Sequence, residues 1–305
     1  MRADLIILGA GPAGLTAGLY TGRARTDAIL IEKGMPGGQM AATELVDNYP
    51  GQSEPILGVE LAQRMEAQVR KFGIEIQYAD IVSVSRTASG FDLSNDSGVT
   101  YSCRSLLIAT GASPVKLGIP GELEFAGKGV SYCAICDGPF FRDVEVAVIG
   151  GGDSAVEEAV YLSRLASKVH LIHRRDQLRA VKEIQERALA VPNLVIHWNS
   201  APEKIIGAND VEAIHLRSTV ENSMTELPVS GVFFYVGIKP NDEAFRGLVE
   251  ADSRGFVITD EKMATSVPGI FAAGDIRAKE LRQISTAVGD GAAAAYSAQR
   301  YLENL

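Results

Sequence analysis

Residues 145–174 read EVAVIGGGDSAVEEAVYLSRLASKVHLIHR, and residues 4–33 read DLIILGAGPAGLTAGLYTGRARTDAILIEK. Laid over one another without a gap, they put Gly9 on Gly150, Gly11 on Gly152, Tyr20 on Tyr161, Arg23 on Arg164 and Glu32 on His173. Each stretch is a short apolar run, a glycine turn, a segment with apolar residues at helical spacing, then a β-branched run. That succession is a β-α-β unit, and the chain holds it twice. The expected fold is therefore α/β, with two Rossmann-like dinucleotide-binding domains.

The spacing G-x-G-x-x-G/A has a physical reading. The first glycine (Gly9, Gly150) makes the tight turn, and the second (Gly11, Gly152) leaves room for a pyrophosphate against the backbone. The third position (Gly14, Ala155) has to be small for the helix to lie on the strand. The pyrophosphate then sits at the positive end of that helix. Pro12 and Ala13 fall within the first turn, and Gly151, Asp153 and Ser154 within the second.

The two units end differently. Glu32 closes the first, and a carboxylate there accepts hydrogen bonds from ribose hydroxyls and repels a 2′-phosphate, which suits FAD or NAD. His173 closes the second, followed by Arg174, Arg175 and Arg179, with Lys182 close behind. Guanidinium groups suit bidentate binding of a 2′-phosphate, so the second site is expected to prefer NADPH. Near the carboxy terminus, GIFAAGD (269–275) reads as a buried strand ending in Asp275, and 283–303 as a helix rich in small residues. An acid at that strand end can accept hydrogen bonds from a ribityl chain, and a helix start beside it can stabilise charge on a reduced flavin. These features favour FAD at the first site.

The cysteines are Cys103, Cys133 and Cys136. Cys133 and Cys136 form a C-x-x-C pair just ahead of the second glycine turn, which is either a metal half-site or a redox pair. A structural zinc site needs four ligands, and His170, His173, His197 and His215 do not stand at ligand spacing. Beside two dinucleotide sites, a redox dithiol is the expectation, with no metal. Cys103 lies in an apolar run and is expected in the core. Asp137, next to Cys136, would raise a thiol's pKa, which makes sense where protons are delivered as a disulfide opens. The same residue also fits an Asp-Gly turn or a helix N-cap.

The 305 residues suit two domains. With 29 basic and 38 acidic side chains the net charge is −9, which argues against a surface built for nucleic acid or anionic lipid. The hydrophobic fraction of 46% and charged fraction of 22% fit a folded globular chain. No run reaches the ~18 apolar residues of a membrane span. The amino terminus does not read as a signal peptide, so a cytoplasmic location is expected.

CAICDG (133–138), VIGGGDSAVEEA (148–159) and HRRDQLRA (173–180) resemble the low-molecular-weight bacterial-type thioredoxin reductases. So do GAGPAG (9–14), GGQ (37–39), NYPG (48–51), ATG (109–111), GIFAAGD (269–275) and RQI (282–284). The resemblance covers essentially the whole chain. It implies an FAD domain made of 1–114 and 242–305, with an NADPH domain, 115–241, inserted into it and carrying the dithiol. Pro114 to Gly118 and Gly237 to Asn241 would be the two crossing strands. Cys136 would face the flavin, Cys133 would attack the protein substrate, and Asp137 would be the acid–base residue.

Gly38, Gln39, Asn48, Ala109, Thr110, Gly111, Gly274, Asp275, Arg282, Gln283 and Ile284 would join the first turn around FAD, and Gly237 the second around NADPH. The resemblance further implies a homodimer, thioredoxin or a thioredoxin-like protein as partner, and rotation of the inserted domain during turnover. Asp153 departs from the family's frequent Asn and puts a carboxylate near the phosphates. The other readings are a relative with another electron donor or acceptor, an FAD-dependent dithiol oxidase, and a non-catalytic flavin redox sensor. The arginine cluster argues against the oxidase, which needs no NADPH.

Overall fold

A computed structural model describes residues 1–305 apart from Glu44 and Asp47. The chain forms two compact units, Met1–Ser113 with Lys239–Leu305, and Pro114–Ile238.

In the first unit the sheet runs Glu75–Tyr78, Ala28–Glu32, Arg2–Leu8, Thr100–Ile108, Gly90–Asn95, Ile81–Thr87, and Ile270–Ala272 also pairs with Thr100–Ile108. Arg2–Leu8 is parallel to both neighbours, with Leu8 opposite Ile31 on one side and Ile108 on the other. Leu5, Ile6 and Ile7 are fully buried, as a strand covered on both faces requires. The helices Pro12–Arg23 and Ile284–Glu303 lie close together, and a Cβ added at Gly291 would collide with the Ala13 carbonyl. That approach explains why the carboxy-terminal helix is built from small residues.

The second unit repeats the plan. Its parallel sheet runs Val130–Ser131, Gly231–Tyr235, Glu145–Gly150, Lys168–Ile172, Leu194–His197. An antiparallel sheet of Ser200–Ile206, Ala213–Ser218 and Met224–Pro228 accompanies it. In each unit the strand before the glycine turn lies inside the sheet, so the turn opens at the carboxyl ends of the strands, where open α/β sheets bind ligands. The strands Ala112–Pro114 and Ile238–Pro240, where the chain passes between the units, pair with one another. Among the described residues no helix is long and apolar enough to cross a membrane.

Candidate active site

The first glycine turn is fixed by steric necessity. Gly9 has φ +104°, and a Cβ there would collide with the Ala109 carbonyl. A Cβ on Gly14 would collide with the Gly9 carbonyl, so this helix start lies directly on the turn. Gly11, by contrast, faces open space. Glu32 accepts the Ala10 N–H at Oε2 (2.7 Å) and the Gly34 N–H at Oε1 (2.9 Å). It therefore braces the turn, and each oxygen keeps a lone pair for a further donor.

Other segments converge on this turn. The Gly37 N–H donates to the Ala10 carbonyl (2.7 Å), which brings Gly38 beside Gly11 and sets Gln39 next in the chain. Ala109 and Thr110 back Gly9, and Gly274 lies against Ala13. Gln283 caps the helix Ile284–Glu303 in a capping box with Thr286, and its Oε1 accepts from Asn48 Nδ2 (3.2 Å). Arg282 is spent on the fold: it donates to the carbonyls of Lys279 (2.9 Å) and Arg277 (3.1 Å) and lies 4.2 Å over the Phe256 ring. Asn241 donates to the Thr110 carbonyl (2.9 Å), and its own N–H donates to that of Gly111 (3.0 Å).

Sequence reasoning missed an ionic knot beneath this site. Asp290 pairs with Arg277 (2.8 Å) and Lys279 (3.0 Å), and accepts the Gly274 N–H (3.0 Å). It holds Gly274–Asp275 against the carboxy-terminal helix. The available signal was Asp290, the one charged side chain of this small-residue helix ahead of Arg300. Burial raises the Asp275 pKa, with Lys279 and Arg282 opposing that shift.

The second turn repeats the first with changes. Ala155 takes the place of Gly14, and Gly152 again faces open space. The His173 ring is buried against Gly151, with Nδ1 3.0 Å from the Gly150 carbonyl and Nε2 2.8 Å from the Gln177 carbonyl. Both nitrogens thus brace the turn. Arg174, Arg175 and Arg179 are exposed, and no side-chain hydrogen bond or ion pair of theirs is found among the described residues. Their backbones are anchored instead: the Arg174 carbonyl accepts from Thr219 Oγ1, the Arg175 carbonyl from the Asn199 N–H, and the Arg179 N–H donates to the Gly151 carbonyl (2.6 Å). Asp153 Oδ1 accepts the Val181 N–H (2.8 Å), which gives that carboxylate a local role. Gly237 has φ +130° and its carbonyl accepts the Val115 N–H.

In the same unit Cys133 and Cys136 are joined by a disulfide, with Cα atoms 5.3 Å apart. Cys133 is the N-cap of the short helix Ala134–Asp137, and its Sγ accepts the Cys136 N–H (3.2 Å). Asp137 Oδ2 accepts the Ser131 hydroxyl (2.6 Å), and Ser131 Oγ accepts the Cys133 N–H (3.0 Å). This chain ties the acid to the backbone of the redox pair. Cys103 is buried, which pushes its thiol up to about 12 and makes it inert. His170 bonds His197 (2.9 Å) and Glu145 (2.8 Å) across neighbouring strands, a contact hidden from sequence spacing. No group of metal-ligating side chains is found among the described residues.

These residues fit a dinucleotide at the first turn. Thr110 Oγ1 and Asp275 Oδ1 are buried without a hydrogen bond, although Lys279 lies 3.5 Å from the latter as an ion-pair partner. Orphaned polar atoms beside an open glycine turn are groups that a bound ligand satisfies. At the second turn the open Gly152 face and the unpaired arginines fit a phosphorylated one.

The pyridine nucleotide-disulphide oxidoreductase family model matches residues 3–291. The chain is 51% identical to a thioredoxin reductase of Listeria innocua, over 99% of this chain and 94% of that one. It is 48% identical to one of Bacillus subtilis, over 99% and 95%. The crystal structure of thioredoxin reductase from Streptococcus pyogenes superposes with a TM-score of 0.95 at 44% identity, covering 100% of this chain and 99% of that one. The chain belongs to the pyridine nucleotide-disulphide oxidoreductase family, and within it to the thioredoxin reductases.

Proposed function

We propose that the protein is an NADPH-dependent thioredoxin-disulfide reductase using FAD. The observation that carries this is a disulfide, Cys133–Cys136, in the same unit as a nucleotide turn flanked by unpaired arginines. FAD would be held by Gly9–Gly14, Glu32, Gly38–Gln39, Asn48, Ala109–Gly111, Gly274–Asp275 and Gln283–Ile284, with the Arg282 side chain bracing the segment that carries Asp275. NADPH is held by Gly150–Ala155, Arg174, Arg175, Arg179 and Gly237, with His173 bracing the turn. Bound at the first turn, FAD would supply a hydride acceptor for NADPH and an electron pair for the Cys133–Cys136 disulfide.

Opening the S–S bond takes two electrons and two protons in all. The Cys136 N–H stabilises a thiolate on Cys133, and Asp137, tied to Ser131, holds a proton beside the pair. Cys133 Sγ then attacks the disulfide of thioredoxin to give a mixed disulfide. Cys136 attacks Cys133 Sγ, the internal disulfide re-forms, and the partner leaves as a dithiol. Turning of the inserted unit about its two linkers brings these tasks into sequence. We further infer a cytoplasmic homodimer with no nucleic-acid or membrane partner. The test is NADPH-driven disulfide reduction by the FAD-loaded protein with and without thioredoxin. Thioredoxin-dependent NADPH oxidation supports the reading, and oxygen consumption indifferent to thioredoxin favours the dithiol oxidase.

A further inference from the structure

Tyr235 stands where the nucleotide turn and the redox pair meet. It ends the strand Gly231–Tyr235, and its backbone is registered opposite Gly150, the first glycine of the second turn. Its ring packs on the core of that unit, which includes Ala134, Ala155 and Val156. Its hydroxyl oxygen accepts the Ala134 N–H at 2.6 Å. Ala134 lies between the two cysteines and is fully buried. Its amide is one of the donors that a helix start leaves without an intrahelical partner. Without the hydroxyl that donor would be buried and unpaired.

We propose that Tyr235 is a positioning residue for the redox pair: its hydroxyl holds the Ala134 peptide so that the Cys136 N–H stays aimed at Cys133 Sγ, which favours the Cys133 thiolate once the disulfide is open. The proposal rests on the reductase reading above. Ser131 and Asp137 bond to one another and to the pair's own segment, and the charged or titratable groups near the Tyr235 hydroxyl are Asp137 together with Glu158 and Tyr161 of the helix Asp153–Leu162. Burial first, then the nearby Glu158, raise the Tyr235 pKa, so its hydroxyl serves as a neutral acceptor throughout the working range. The strand register also joins this acceptor to the nucleotide turn, since the residue that holds Ala134 is the one opposite Gly150.

The test is Tyr235→Phe, which removes only the oxygen. The FAD-loaded protein is reduced anaerobically and alkylated with iodoacetamide across pH 5–10, and each cysteine is quantified by mass spectrometry. The midpoint of Cys133 alkylation is expected to rise by about one pH unit, which corresponds to ~1.4 kcal/mol and to one hydrogen bond. Retained flavin reports that the variant is folded. A flavin-retaining variant with a Cys133 profile superimposable on wild type overturns the proposal. Should the variant shed its flavin, hydrogen exchange on the oxidised wild type decides. A protected Ala134 amide supports the contact, and exchange at the rate of an exposed turn overturns it. If wild type itself fails to pass electrons from NADPH to a disulfide, the reductase reading falls, while the alkylation profiles still judge Tyr235.

Discussion

Changing Arg174 and Arg175 together to alanine should convert an NADPH enzyme into one nearly indifferent to the 2′-phosphate. Both side chains are exposed, and no side-chain partner of either is found among the described residues. Their carbonyls, by contrast, are held by Thr219 and Asn199. The loop should therefore keep its shape, with a stability change within ~0.5 kcal/mol. A hydrogen bond to a charged group contributes ~1.5–3 kcal/mol, and the exposed setting argues for the lower figure. Two such contacts give ~3 kcal/mol, and ~1.4 kcal/mol is tenfold. So kcat/KM for NADPH should fall by about 10²-fold, while that for NADH stays within about two-fold. The assay is steady-state kinetics with both nucleotides at a fixed ionic strength. An unchanged NADPH-to-NADH ratio, or equal losses with both, would refute the assignment of the second site.

Cys133→Ser and Cys136→Ser should each abolish disulfide reduction while FAD stays bound and NADPH still bleaches it; loss of flavin from both would point to a structural role for the pair. Asp137→Asn should slow turnover by about 10²-fold, the order expected for an acid–base group, in pre-steady-state measurement of thiol appearance. Glu158 gives a pH signature. Burial, then Glu157, push its carboxyl from 4.5 up to about 7. Between those values the native state keeps a proton that the unfolded chain releases, so stability falls as pH rises through the window and the penalty is complete above it. Glu158→Gln should therefore raise Tm little at pH 5 and by a few degrees at pH 8, for a gain on the order of 1 kcal/mol after solvent screening. A Tm difference independent of pH would show that Glu158 does not carry this proton.

The two glycine turns were readable because their geometry tolerates so few residues: Gly9 and Gly14 meet backbone where any side chain would collide. Glu32 stood out because it ends its strand at a fixed distance from the first turn, and the arginines because they cluster just past the corresponding strand Lys168–Ile172 in the second unit. His173 shows the limit of that reading. Its place at the end of the second unit marks it for the nucleotide site, its ring is folded under Gly151, and only packing decides which way it turns. Asp290 and Tyr235 were invisible for a related reason. Each acts on the backbone of another element, Asp290 on the turn at Gly274, 16 residues away, and Tyr235 on Ala134 across 101 residues. Pattern reading finds residues that serve their own turn, and it misses those that serve another segment's backbone.

An anaerobic titration of the FAD-loaded protein with NADPH, followed by flavin absorbance and thiol count, tests the electron route from nicotinamide to the cysteine pair. The flavin should bleach, two new thiols should appear per chain at Cys133 and Cys136, and oxidised thioredoxin should restore the colour and consume them. Flavin that remains oxidised in excess NADPH, or bleaches with no new thiols at those two cysteines, would contradict that route.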